Sequence, residues 1–200
     1  EANLSALAEK TFVENHKNLI HVSIHAGVGA GIILDHHLYT GLTGTAGEAG
    51  HMIVQPGGRS CPCGNRGCLE QYISEPAVLS RYRELSGRTT VSIDDLVWAY
   101  NQKENAALAV TDEFTTYLAC GINNLWNLFS PECIILNSQL TAYLPQLLPE
   151  ILQKLSPRFR ATCQLKLSTL QDTGVLLGAA RVCISKYLGI EKLYFSGFQP

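Results

Sequence analysis

Three of the seven cysteines, Cys61, Cys63 and Cys68, fall within eight consecutive positions, and nine residues separate Cys61 from His51. The surrounding text, PGGRSCPCGNRGC, is stocked with glycine and proline, which let a chain wrap tightly but supply little core. An odd number of cysteines, most of them scattered, is a poor disulfide framework, and a tight cluster of this kind more often binds metal. The spacing predicts a Cys3His zinc site formed by His51, Cys61, Cys63 and Cys68 in a loop over residues 51–70. A tetrahedral set closed by four protein ligands has no open position, so the zinc is expected to be structural. Its binding is coupled to folding of the loop and to release of thiol protons. Cys120, Cys133, Cys163 and Cys183 sit singly among apolar neighbours and read as small buried hydrophobes.

Two carboxylates flank the loop: Glu48 three residues before His51 and Glu70 two residues after Cys68. A metal-held loop would fix both. Paired acceptors beside an imidazole are what a sugar site needs, because each carboxylate accepts hydrogen bonds from neighbouring hydroxyls. Glu48, His51 and Glu70 are therefore the expected sugar ligands.

The rest of the chain alternates helical and strand patterns. Residues 3–14 carry apolar positions at helical spacing, and Leu19–Ile24 is an apolar, β-branched run. Gly27, Gly29 and Gly31 interrupt it before Ile32–Leu34 resumes. We read two antiparallel strands joined by, or bulged at, this glycine run, and prefer that to a phosphate cradle. His21, His36 and His37 read as ordinary hairpin residues. TGLTGTAGEAG, residues 40–50, is a shaped loop of small residues, and Met52–Val54 reads as a short strand. A helix opens near Leu69, and another follows the Ser74 cap to Gly87. Ser92 caps a helix to Ala99, with Asp94 and Asp95 in its first turn. Ala106–Phe129 is a long buried helix, Cys133–Leu136 a central strand, Leu144–Leu155 a helix, Cys163–Ser168 a strand and Gly174–Leu188 a closing helix. This order predicts a layered α/β unit with the zinc loop inserted and no internal boundary.

With 46% apolar and 16% charged residues the composition is that of a folded protein. No apolar run reaches the roughly 20 residues of a membrane span, and no signal peptide opens the chain. A cytoplasmic location with no membrane partner is expected. Fifteen basic and seventeen acidic residues are interspersed, so no Lys/Arg stripe is available to neutralise phosphates of DNA. The only methionine is Met52 and the chain opens on Glu1 in a helix-like stretch. We therefore expect a fragment.

On three motifs the sequence resembles the ROK family, which groups bacterial repressors with sugar kinases. GEAGH at Gly47–His51 resembles the family's GExGH, and CPCGNRGCLE at Cys61–Glu70 resembles its CxCGxxGCxE. HAGVGAGIILDHHLYTG at His25–Gly41 resembles the glycine-rich hairpin that precedes them. The resemblance implies an actin/hexokinase/Hsp70-like (ribonuclease H-like) α/β lobe, of which residues 1–200 would be most of the C-terminal one. It also implies Glu48, His51 and Glu70 as sugar ligands, with His51 shared with zinc. Glu1, Ala2 and Asn3 match the end of the family's N-D-x-N motif, whose aspartate is the base in the kinases.

Three departures separate this chain from a kinase. Glu1 is one methylene longer than the aspartate, and general-base catalysis depends on placement within hydrogen-bond reach of the hydroxyl. His25-Ala26-Gly27 stands where the kinases carry G-T-G, and Asn137-Ser138 where they carry a glycine pair beside the nucleotide. The resemblance thus points to the family's repressors, its xylose-repressor-like branch, with no catalytic residue expected. In such a protein a winged helix-turn-helix and a first lobe would precede this chain and make the DNA contact. The chain itself would bind the sugar effector and form a homodimer or higher homo-oligomer. The alternative is an ATP-dependent sugar kinase of glucokinase, fructokinase or N-acetylhexosamine kinase type, with Glu1 as base and ATP with Mg2+ as cofactor.

Overall fold

In the computed structural model, which describes residues 1–190, the apolar runs pair into one five-stranded sheet of order β3-β2-β1-β4-β5. β1 (Leu19–Ile24), β2 (Val28–Leu34) and β3 (His37–Tyr39) form an antiparallel meander. β4 (Cys133–Ser138) lies parallel to β1, and β5 (Gln164–Leu167) parallel to β4. β2 therefore runs against the other four strands. β1 and β4 are buried at every position, which follows from their mostly apolar sequences, their central place in the sheet and helices on both faces.

On one face, Ile20, Val22, Ile134 and Leu136 pack with Phe114 and Leu118 of α5 (Asn105–Phe129). This side also carries α3 (Glu75–Ser86) and α4 (Ile93–Asn101), both opened by serine caps. Ser74 accepts from Ala77 N–H, and Ser92 forms a reciprocal capping box with Asp95. On the other face, Leu19, Ile33, Cys133 and Ile135 meet Ala6 and Leu7 of α1 (Ala2–Ala8) and Val182 of α9 (Thr173–Leu188). α1 lies against the backbone of β2 because Gly31 has no side chain. A Cβ there would stand 2.2 Å from the Ala2 carbonyl oxygen and 2.5 Å from Ala6 Cβ.

Several elements differ from the sequence reading. Gly29 and Gly31 lie inside β2, and the turn is confined to residues 25–27, because close packing of α1 needs a bare strand rather than a bulge. Met52–Val54 is not a strand: Ile53 makes one isolated bridge to Cys68, and Val54 N–H bonds to Gly67 C=O, since the cysteine loop turns back too tightly for a ladder. The first helix gives way after Ala8 to a wide π turn, Glu9–Val13.

The expected helix Leu144–Leu155 is α7 (Leu147–Lys154), which starts three residues later, and two short helices the sequence reading lacked, α6 (Gln139–Tyr143) and α8 (Pro157–Thr162), lie on either side of it. His21 is no ordinary hairpin residue, for it is buried in the centre of β1, where burial pushes its imidazole down to about 3 and keeps it neutral. Of the four isolated cysteines, Cys133 and Cys163 are buried as expected. Cys120 is half-buried and Cys183 exposed, because they lie on outer faces of α5 and α9.

Candidate functional site

The loop between His51 and α2 (Glu70–Ile73) brings the four sequence-predicted ligands together, with one donor atom of each within 4.8 Å of all the others. His51 Nδ1 is 3.6 Å from Cys61 Sγ, and Cys63 Sγ is 3.7 Å from Cys68 Sγ. A tetrahedral ion with metal–sulfur bonds of about 2.3 Å requires sulfurs roughly 3.8 Å apart and a nitrogen roughly 3.6 Å from each sulfur. The cluster has that spacing and could hold a metal ion. Burial, together with the neighbouring Cys61 and Cys63 sulfurs, pushes the Cys68 thiol up to about 12, so its thiolate calls for a cation at this position. Gln71 Nε2 lies 3.7 Å from Cys61 Sγ, as an outer donor to that sulfur.

The loop is braced from outside by Arg59. Its Nη1 donates to Gln71 C=O at 2.8 Å, its Nη2 pairs with Glu113 of α5, and its guanidinium lies 4.5 Å above the Tyr72 ring. Tyr72 in turn stacks on Tyr117 of α5 with centroids 4.0 Å apart and accepts from Arg59 N–H through its hydroxyl. Arg81 also reaches Glu113, at 3.1 Å.

Both flanking carboxylates open onto one cavity of about 400 Å3 at the carboxyl end of β1, together with Glu1, Asn3 and His25. That size falls in the range of small-molecule sites. Glu70 opens α2, and its Oε2 accepts from Val28 N–H at 3.2 Å, which fixes the carboxylate against the start of β2 and leaves the other oxygen for a ligand. Glu48 is exposed and precedes the single turn Ala49–His51. Its position is set by Gly47, whose carbonyl accepts from Ala30 N–H at 2.7 Å and whose φ of +91° suits glycine. A Cβ on Gly47 would stand 1.9 Å from Ala30 O.

Asn3 Oδ1 is buried at this cavity with no hydrogen-bond partner among the described residues. His51 stays with the cysteines and is not among the residues lining the cavity. Sequence reasoning missed Ser23, Gln171 and Asp172, which line the adjoining space. The available signal was their place at or just beyond the ends of parallel strands, where open α/β sheets bind ligands.

Among the described residues no helix is long and apolar enough to cross a membrane. The ROK family matches residues 1–186. The xylose repressor of Bacillus spizizenii is 35% identical over 199 residues, covering 96% of this chain and 51% of that protein. A solved ROK family transcriptional regulator, described as a homologue of the E. coli MLC protein, superposes with a TM-score of 0.79 at 31% identity over 94% of this chain and 52% of its own. The ROK hexokinase of Thermus thermophilus gives a TM-score of 0.78 at 25% identity, covering 92% of this chain and 64% of the enzyme. The chain thus spans about half the length of the curated xylose repressors it matches. The fold is the mixed α/β, hexokinase-like lobe that the motifs imply.

Proposed function

The chain belongs to the ROK family, and from that premise we propose that it is the effector-binding and dimerisation part of a sugar-responsive transcriptional repressor of carbohydrate metabolism. The observation that carries this reading is the meeting of the three kinase departures. Glu1, His25 and Asn137 line one cavity, so the positions that would hold base, phosphate and nucleotide all carry other groups in the same place. The similarity to xylose repressors over nearly the whole chain supports it.

On this reading Glu48 and Glu70 accept hydrogen bonds from sugar hydroxyls. His51, with Nδ1 on the metal, holds the loop and stands outside the cavity lining. The metal held by His51, Cys61, Cys63 and Cys68 is zinc in a structural role, since four protein ligands close a tetrahedral set and no fifth His, Cys, Asp or Glu joins them among the described residues. Zinc neutralises the thiolates and ties the two ends of the loop together, and the carboxylates outside it inherit that rigidity. Operator contact belongs to a winged helix-turn-helix and a first lobe outside these 200 residues, in a cytoplasmic bacterial homo-oligomer. Sugar then acts by binding one arrangement of the lobes more tightly than another.

The test is to measure sugar binding by calorimetry and sugar-dependent ADP release on the same full-length protein. Saturable binding without ADP release is expected. Turnover of the order of 1 s−1 or faster, an ordinary enzyme rate, would replace the repressor by the kinase, with Glu1 as its base and ATP with Mg2+ as its cofactor.

A further inference from the structure

The cavity between Glu48 and Glu70 does not end at His25. A second space of about 200 Å3 shares Glu1, Ser23 and His25 with it. A third, of about 270 Å3, shares His25, Asn137, Gln171 and Asp172 with the second and extends to Gln139 and Tyr143. Together they make a trough across the carboxyl ends of the parallel strands β1 and β4, where Ile24 pairs with Ser138.

The chemistry of the trough selects its occupant. Among the described residues no lysine or arginine lines the second or third space, while the carboxylates Glu1, Asp172 and Glu75 do, with His25 Nδ1 3.6 Å from Glu75 Oε1. A phosphate would meet negative charge there. The remaining groups are neutral donors and acceptors, and Tyr143 offers a half-exposed ring. Two buried hydroxyls are left unsatisfied at the walls: Ser5, 1% exposed, lines the second space, and Ser138, 3% exposed, lines the third. Neither Oγ has a hydrogen-bond partner among the described residues. Buried polar atoms of native proteins are otherwise nearly always bonded, to protein, water or ligand.

We propose that this trough is a second glycosyl subsite, so that the effector is a disaccharide or longer saccharide with one ring against Glu48 and Glu70 and the next beyond His25, against Asn137, Ser138, Gln139 and Asp172. The inference rests on the sugar-binding reading above and names its ligand class. A second ring fills the trough with uncharged hydroxyls, each able to donate to a carboxylate or accept from an amide or hydroxyl.

Calorimetry on the full-length protein with matched pairs tests it: xylose and xylobiose, glucose and cellobiose, galactose and lactose, N-acetylglucosamine and its β-1,4 dimer. At least one disaccharide is expected to bind tenfold or more tightly than its own monosaccharide. The exposed pair Gln139→Ala with Asp172→Ala should abolish that advantage and leave monosaccharide affinity within twofold. Monosaccharide binding with no disaccharide binding more tightly overturns the subsite while leaving the sugar reading intact, and so does an advantage that survives the double substitution. Saturable binding of MgADP that blocks the disaccharides overturns it in favour of a nucleotide. Binding of none of these sugars overturns the sugar reading itself, and the subsite with it.

Discussion

Glu9 offers the sharpest test of the packing between α1 and the sheet. It is 1% exposed at the start of the π turn, and Ser168 Oγ donates to its Oε1. Burial raises its carboxyl from 4.5 to about 7; the Ser168 hydrogen bond opposes this, and Glu14 adds to it. A folded-state value above the unfolded one means that the folded chain holds the proton longer. The contribution of Glu9 is therefore most favourable below pH 4.5 and declines as pH rises to 7, above which the loss is complete. With values of 4.5 and 7 and about 1.36 kcal/mol per pH unit, it costs about 0.8 kcal/mol at pH 5 and about 3.3 kcal/mol at pH 8. Glu9→Gln keeps the shape and an acceptor for Ser168 but cannot ionise. Urea denaturation of both proteins should show the variant gaining about 2.5 kcal/mol relative to the parent between pH 5 and pH 8. A stability difference that stays constant within about 0.5 kcal/mol over this range would refute the argument that Glu9 is ionised against its burial.

Metal analysis of freshly purified, reduced protein should give one zinc per chain, and Cys63→Ser or a strong chelator should lower both the melting temperature and sugar affinity, since loop folding is coupled to the ion. Glu70→Gln should weaken sugar binding by roughly 1.5–3 kcal/mol, the worth of a charge-assisted hydrogen bond, with an unchanged melting temperature; unchanged affinity by calorimetry removes Glu70 from the site. Gly31→Ala should destabilise the fold by about 1–3 kcal/mol or more, because the new methyl meets the Ala2 carbonyl at 2.2 Å; wild-type urea stability would show that α1 is not seated there.

What the sequence disclosed and what it hid divide along chain distance. The clustering of His51 with Cys61, Cys63 and Cys68 was legible because residue type and local spacing announce it, and the placement of Glu48 and Glu70 beside one cavity because they adjoin that loop in the chain. β1 and β4 were legible because each carries a bounded apolar run, and α5 because it is long enough to show its period. α6 and α8, of five and six residues, are too short to show one, and β3 has three residues with exposed ends. The trough was hidden for a different reason. His25, Asn137 and Asp172 follow or end different strands, and only the parallel register of β1 with β4 and of β4 with β5 puts them side by side.

The same geometry constrains how a bound sugar would act. Glu48 and Glu70 stand at the two ends of a loop held by its cysteine cluster and by Arg59 to α5, so they belong to one layer of the lobe. Glu1 and Asn3 stand at the start of α1, and Asp172 at the start of α9, in the layer on the opposite face of the sheet. A ligand that satisfies both sets binds best when their spacing is right, whereas a braced loop has little freedom to adjust to it. Allosteric coupling is typically about 1–3 kcal/mol, which is one or two hydrogen bonds' worth of difference between states. Asn3 Oδ1 and Ser5 Oγ, both on α1 and without a hydrogen-bond partner among the described residues, are groups able to supply such a difference, as is Ser138 Oγ at the end of β4. On the sugar-binding reading, α1 is better placed than the braced cysteine loop to shift when a sugar binds.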